Sequence, residues 1–127
     1  MAKQEAEVRA VIDRFAARSK PEDLPKVDRQ FAAKLSALEQ DGKAPADMIE
    51  KLRTLWQLIK APDDVVPFRG KALAMAALSY FVSPLDLIPD ALGGAGYLDD
   101  AMVVRMVHTR LEQEIAAFAR WRDGREP

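Results

Sequence analysis

Residues 68–100 read FRGKALAMAALSYFVSPLDLIPDALGGAGYLDD, and this segment dictates how the rest of the chain must pack. Its first part, residues 72–82, is apolar on nearly every side, which indicates a helix buried on all faces. The apolar run is broken by Pro84 and ends before Asp86, well short of the roughly 20 residues that a membrane-spanning helix requires. We therefore predict a central core helix at about 68–82.

Amphipathic helices are predicted on both sides of this core helix, because apolar residues recur every three or four positions. Their predicted bounds are about 4–18, 25–40, 45–60 and 98–122. The apolar stripes comprise Val8, Val11, Ile12 and Phe15; Val27, Phe31, Leu35 and Leu38; Met48, Leu52, Leu55, Trp56 and Ile59; and Val103, Val107, Leu111, Ile115 and Phe118. The pattern predicts one all-α domain over residues 1–127. It is a compact bundle of about five helices with a buried central helix and a short helical turn in the last connection.

Composition excludes several classes of protein. The chain has 127 residues and no cysteine, which removes disulfide scaffolds and thiol chemistry and favours a reducing, cytoplasmic setting. Nineteen Lys and Arg against 20 Asp and Glu give a net charge of -1, so general attraction to nucleic acid is not expected. The N-terminal residues are charged and lack the apolar run of a signal peptide.

The connection between the last two predicted helices is rich in aspartate. Ser83 suits a helix N-cap, Pro84 suits the first helical position, and Ile88 is biased away from helical geometry by Pro89. Since one helix ends at this connection and the next begins there, its four aspartates should gather at one end of the molecule. They are Asp86, Asp90, Asp99 and Asp100, and the stretch between Lys71 and Arg105 contains no Lys or Arg.

Two interpretations of this aspartate cluster remain open. Carboxylates near helix starts gain from free backbone amides and the helix dipole, which accounts for Asp86, Asp99 and Asp100. Asp90 would then accept glycine-loop amides or the Tyr97 hydroxyl, or pair with Arg105. Alternatively, the four carboxylates hold a hard cation such as magnesium or calcium, which would quench their mutual repulsion.

The same residues carry a resemblance to a known family. SPLDLIPD followed by GYLDD resembles the signature of the YkvA-like proteins, a bacterial family defined by domain of unknown function 1232, over about residues 71–104. The matching positions are Ser83, Pro84, Asp86, Ile88, Pro89, Asp90, Gly96, Leu98, Asp99 and Asp100, with Tyr97 between the last groups. The resemblance implies a small helical protein, sometimes labelled membrane-associated, and brings no established activity.

The chain lacks a convincing catalytic constellation. Its only histidine, His108, lies about two turns beyond Asp100 and is offset around the helix, and no strand-to-helix nucleophile elbow is present. We therefore expect a non-enzymatic interaction or scaffold module that binds a protein partner. The alternatives are a divalent-cation-binding protein, or a protein associated peripherally with the inner face of the membrane.

Overall fold

The computed structural model describes residues 2–42, 44–82 and 100–125, and the regular structure within these ranges is entirely helical. The helices are α1 (Ala2–Arg18), α2 (Leu24–Asp41), α3 (Ala46–Ile59), α4 (Phe68–Val82), α5 (Asp100–Arg110) and α6 (Glu112–Arg125), with a one-turn 3-10 helix at Pro21–Asp23. The predicted all-α bundle is confirmed, and α1 to α4 begin and end within two residues of their predicted bounds. No described helix combines the length and hydropathy needed to cross a bilayer.

Helix α4 occupies the centre of the bundle and contacts α1, α2, α3 and α5. Ten of its 15 residues are buried, as expected for a segment that is apolar almost all round. The four alanines at 72, 74, 76 and 77 are at most 3% exposed. Their small side chains let the neighbouring helices approach closely, so α4 acts as the axis on which the other helices pack.

An aromatic group joins the three helices around Phe31. The Phe31 ring is fully buried and meets Trp56 edge-on at a centroid distance of 5.7 Å and Phe81 at 6.4 Å. The Trp56 indole N–H donates a hydrogen bond of 2.6 Å to Asp28 Oδ1. These contacts connect α2, α3 and α4, and aromatic pairs of this geometry contribute roughly 0.5–1.5 kcal/mol each beyond their buried area.

The C-terminal region differs from the prediction of one helix at 98–122. Helix α5 starts at Asp100, and the regular pattern is interrupted at Leu111 before α6 continues. The Leu111 N–H is shared between the carbonyls of Val107 at 3.0 Å and His108 at 3.2 Å, a local tightening of the helix. The described residues therefore contain six α-helices rather than about five.

Helices α4 and α5 run in opposite directions. A Cβ built on Gly70, at the start of α4, would lie 3.6 Å from Leu111 Cδ2 and 3.2 Å from Glu114 Cγ. The start of α4 therefore lies against the junction of α5 and α6. Because α4 and α5 also contact each other, we infer that they pack antiparallel, with Val82 and Asp100 at the opposite end. We call the end where α4 begins the base, and the end where α4 stops and α5 begins the tip.

Candidate functional site

The tip is the candidate functional site, because the aspartate-rich connection leaves α4 and enters α5 there. Asp100 is the first residue of α5, and Arg105 is exposed one and a half turns later. The other predicted site residues lie outside the described ranges: Ser83, Pro84, Asp86, Ile88, Pro89, Asp90, Gly96, Tyr97, Leu98 and Asp99. Their contacts, including the suggested pairing of Asp90 with Arg105, therefore stay predictions.

The backbone flanking the connection brings its two ends together at the tip. The antiparallel packing of α4 against α5 places Val82 and Asp100 at the same end of the bundle. Residues 72–104, which include this connection, carry four aspartates and no Lys or Arg, for a net charge of -4. Any compensation for this charge must come from backbone amides, from residues elsewhere in the chain, or from a bound partner.

A buried lysine was not singled out by the sequence analysis. Lys71 is 4% exposed and is the one buried charged residue in the described part of the chain. Its ammonium donates a hydrogen bond of 2.5 Å to Asp63 Oδ1, and the Asp63 side chain is 82% exposed. The sequence did contain a signal for this pair, because Lys71 begins an apolar run and lies eight residues after Asp63. The pair fastens the connection before α4 onto the base.

Two further ion pairs link helices near the base. Arg110 Nη1 of α5 lies 2.8 Å from Asp13 Oδ1 of α1, a close approach that lacks the angle of a hydrogen bond. Lys60 Nζ, at the end of α3, lies 3.9 Å from Asp28 Oδ1 of α2 and 3.9 Å from the centre of the Trp56 ring. Partly exposed ion pairs of this kind contribute little to the free energy of unfolding, but they show which helix ends are neighbours.

His108 is half-buried, and the charges of Lys51 and Asp47 on α3 act on it. Burial lowers the pKa of His108, and the positive charge of Lys51 lowers it further, while Glu112 and Asp47 oppose the shift. Lys51 donates a hydrogen bond of 2.6 Å to Asp47, and this contact lowers the pKa of Asp47. Within the described ranges, no group of three or more acidic, histidine or cysteine residues is arranged to hold a metal ion.

The remaining C-terminal residues pack as part of the bundle. The Phe118 and Trp121 rings lie 5.8 Å apart, and Trp121 is partly buried against the core. The Arg122 guanidinium lies 5.6 Å from the centre of the Phe118 ring. These contacts give α6 a packed inner face, so its aromatic residues contribute to the stability of the bundle.

Comparison with known proteins supports the resemblance carried by the central segment. Residues 71–105 match the family described as "Protein of unknown function (DUF1232)". The "Uncharacterized membrane protein YkvA" of Bacillus subtilis (strain 168) is 42% identical over 50 residues, which cover 39% of this chain and 47% of that protein. The match thus spans about half the length of this relative. No solved structure matches the chain. The predicted YkvA-like segment at 71–104 is confirmed.

Proposed function

Because this chain carries a YkvA-like DUF1232 segment at residues 71–105, we propose that it is a non-enzymatic interaction module whose binding surface is the tip. One observation supports this proposal above all: most residues in the helical part of the matched segment are buried in the core and are not exposed to a partner. From Lys71 to Phe81, nine of eleven residues are buried. The part of the segment left for another role is the acidic connection.

The burial of the segment accounts for its small and apolar residues. Ala74, Met75, Ala76, Ala77 and Leu78 are all fully buried in a helix that contacts four others. Larger side chains there would overpack the core, and polar ones would be buried without hydrogen-bond partners. The small and apolar residues position the connection without presenting groups to a ligand. The module is therefore a rigid support with an acidic segment attached at one end.

The charge of the connection indicates the kind of partner. Four carboxylates without a neighbouring cation in sequence favour a protein surface that presents Lys or Arg. Such complementarity raises the rate of association and excludes acidic competitors, and its effect falls as salt concentration rises. We therefore propose a partner with a basic docking surface.

A pull-down with matched variants tests the proposal. The tagged chain is compared with an Asp90→Ala/Asp99→Ala variant and with an Asp64→Ala/Asp123→Ala control, which removes the same charge from exposed positions outside the family segment. We expect a stoichiometric partner that binds the wild type and the control but not the tip variant. Recovery of no such partner, or its retention by the tip variant, contradicts the proposal.

A second candidate is peripheral association with the inner face of the membrane. The supporting observation is the name of the relative, an uncharacterized membrane protein that is 42% identical to this chain over 50 residues. Association at the surface is the form of membrane contact that suits a helical bundle whose apolar residues are committed to a core. Flotation with liposomes tests it, and the absence of any bound fraction from native-like lipid would contradict it.

A further inference from the structure

Five exposed cations surround the turn between α1 and α2. They are Arg14, Arg18, Lys20, Lys26 and Arg29, and we call this group the basic corner. None of the five side chains takes part in an ion pair with another described residue. They lie within about 8 Å of the turn along either helix axis, given a rise of about 1.5 Å per residue.

The acidic residues beside the basic corner are mostly engaged elsewhere. Asp13 pairs with Arg110, and Asp28 accepts the Trp56 hydrogen bond near Lys60. Asp23 Oδ2 accepts the backbone N–H of Lys20 at 2.9 Å, which closes the turn. Glu22 is then the single acid between residues 14 and 29 without a described partner. With five cations against three acids, residues 14–29 carry a net charge of +2.

The basic corner lies at the base of the bundle, away from the acidic tip. Asp13 precedes Arg14 and contacts Arg110 at the end of α5, which the Gly70 contact places at the base. Asp28 lies near Lys60, the residue that leads into the connection before α4. Helix α4 spans about 21 Å, more than twice the Debye length of about 8 Å at physiological ionic strength. A charge at Asp100, at the opposite end, therefore does not neutralise the corner.

We propose that the basic corner is the surface by which this chain docks on anionic lipid headgroups. The inference rests on the second candidate function, peripheral membrane association, and specifies its orientation. Clusters of four to eight Lys and Arg bind anionic bilayers, and each such residue near the surface strengthens binding about fivefold. Repulsion from the same lipids directs the acidic tip away from the bilayer, where it is free to meet a protein partner.

The experiment measures binding to vesicles of phosphatidylcholine with about a third phosphatidylglycerol, and to pure phosphatidylcholine. The corner variant is Arg14→Gln/Arg18→Gln/Arg29→Gln. The control, Arg9→Gln/Lys34→Gln/Arg120→Gln, makes the same change of charge at exposed residues elsewhere. Glutamine retains helix propensity, and thermal midpoints verify that both variants fold. We expect wild type and control to bind the anionic vesicles, and the corner variant to bind about 100-fold more weakly.

Each other outcome has a distinct meaning. Equal binding of corner variant and wild type to anionic vesicles overturns the corner assignment and leaves membrane association standing. Equal binding of the wild type to neutral and anionic vesicles also overturns the corner assignment and leaves membrane association standing. A wild type that binds neither vesicle overturns both the assignment and the second candidate function. If the wild type binds a single-stranded oligonucleotide but not the vesicles, the corner is a nucleic-acid surface and the lipid assignment is overturned.

Discussion

At the base, Asp13, Asp28 and Asp63 each lie within 4.0 Å of a cation from another element, whereas residues 72–104, which include the connection at the tip, hold four aspartates and no Lys or Arg. At the base, the charged residues form ion pairs between neighbouring elements. Under the proposed function, folding and recognition are assigned to opposite ends of α4, and substitutions at each end should separate them.

The largest effect is expected from Leu111→Ala at the base. Leu111 is 1% exposed and packs against the start of α4 at Gly70, so truncation leaves a cavity where α4, α5 and α6 meet. We expect the free energy of unfolding to fall by about 2–5 kcal/mol, measured by urea denaturation. Thr109→Ala, at an exposed position on α5, is the control and should change stability by less than about 0.5 kcal/mol. A loss below about 1 kcal/mol for Leu111→Ala would contradict close packing at the base.

A smaller effect is expected from the pair formed by Lys71 and Asp63. Asp63→Ala leaves the buried ammonium without its carboxylate, but Asp63 is 82% exposed, so solvent limits the loss to about 1 kcal/mol. Lys71→Met removes the charge while keeping the length of the side chain, and should leave stability unchanged or raise it. Urea denaturation of both variants tests this asymmetry. If Lys71→Met destabilises more than Asp63→Ala, the pair contributes more to folding than we infer.

A still smaller effect concerns the pH dependence of stability at His108. Burial and Lys51 lower its pKa in the folded state, so the unfolded chain binds the proton more readily. The contribution of neutral His108 is present above the unfolded pKa of about 6.5 and is lost as pH falls from there through the lowered folded pKa. We expect His108→Gln to reduce the fall in thermal midpoint between pH 7.5 and pH 5.5, relative to wild type. Identical pH profiles would rule out this linkage.

The smallest expected effect is that of divalent cations on the tip. If helix caps compensate the aspartates, millimolar magnesium, calcium or manganese should leave the thermal midpoint unmoved. A site filled at 100 times its dissociation constant would instead stabilise the fold by about 2.7 kcal/mol, or several degrees. Such a rise, absent from an Asp86→Ala/Asp99→Ala variant, would support the cation-binding alternative.

The helical framework could be predicted from sequence because its signals are local. The apolar run after Lys71 predicted the buried axis, and Gly42 predicted the end of α2, where it adopts a left-handed φ of 71°. The break at Leu111 could not be predicted, because it coincides with packing against Gly70 from a distant part of the chain. Cross-helix pairs such as that of Asp13 with Arg110 depend on helix placement that local periodicity does not encode.

The candidate site could be predicted only in part. Spacing and connectivity drew attention to the acidic connection, and the antiparallel packing of α4 and α5 brings the ends of that connection together. The basic corner escaped the sequence analysis because its cations alternate with acids along the chain. Only the fold shows that Asp13 and Asp28 have partners on other helices, while Arg14, Arg18 and Arg29 do not.

The separation of the two charged ends can be measured directly with spin labels, since the chain contains no native cysteine. Labels at Lys20→Cys in the basic corner and Asp100→Cys at the tip report the distance between the ends by pulsed electron spin resonance. The helix lengths predict a distribution centred at about 20 Å or more, since α4 alone spans about 21 Å. A distribution centred below about 15 Å would place the basic and acidic ends side by side and contradict the account.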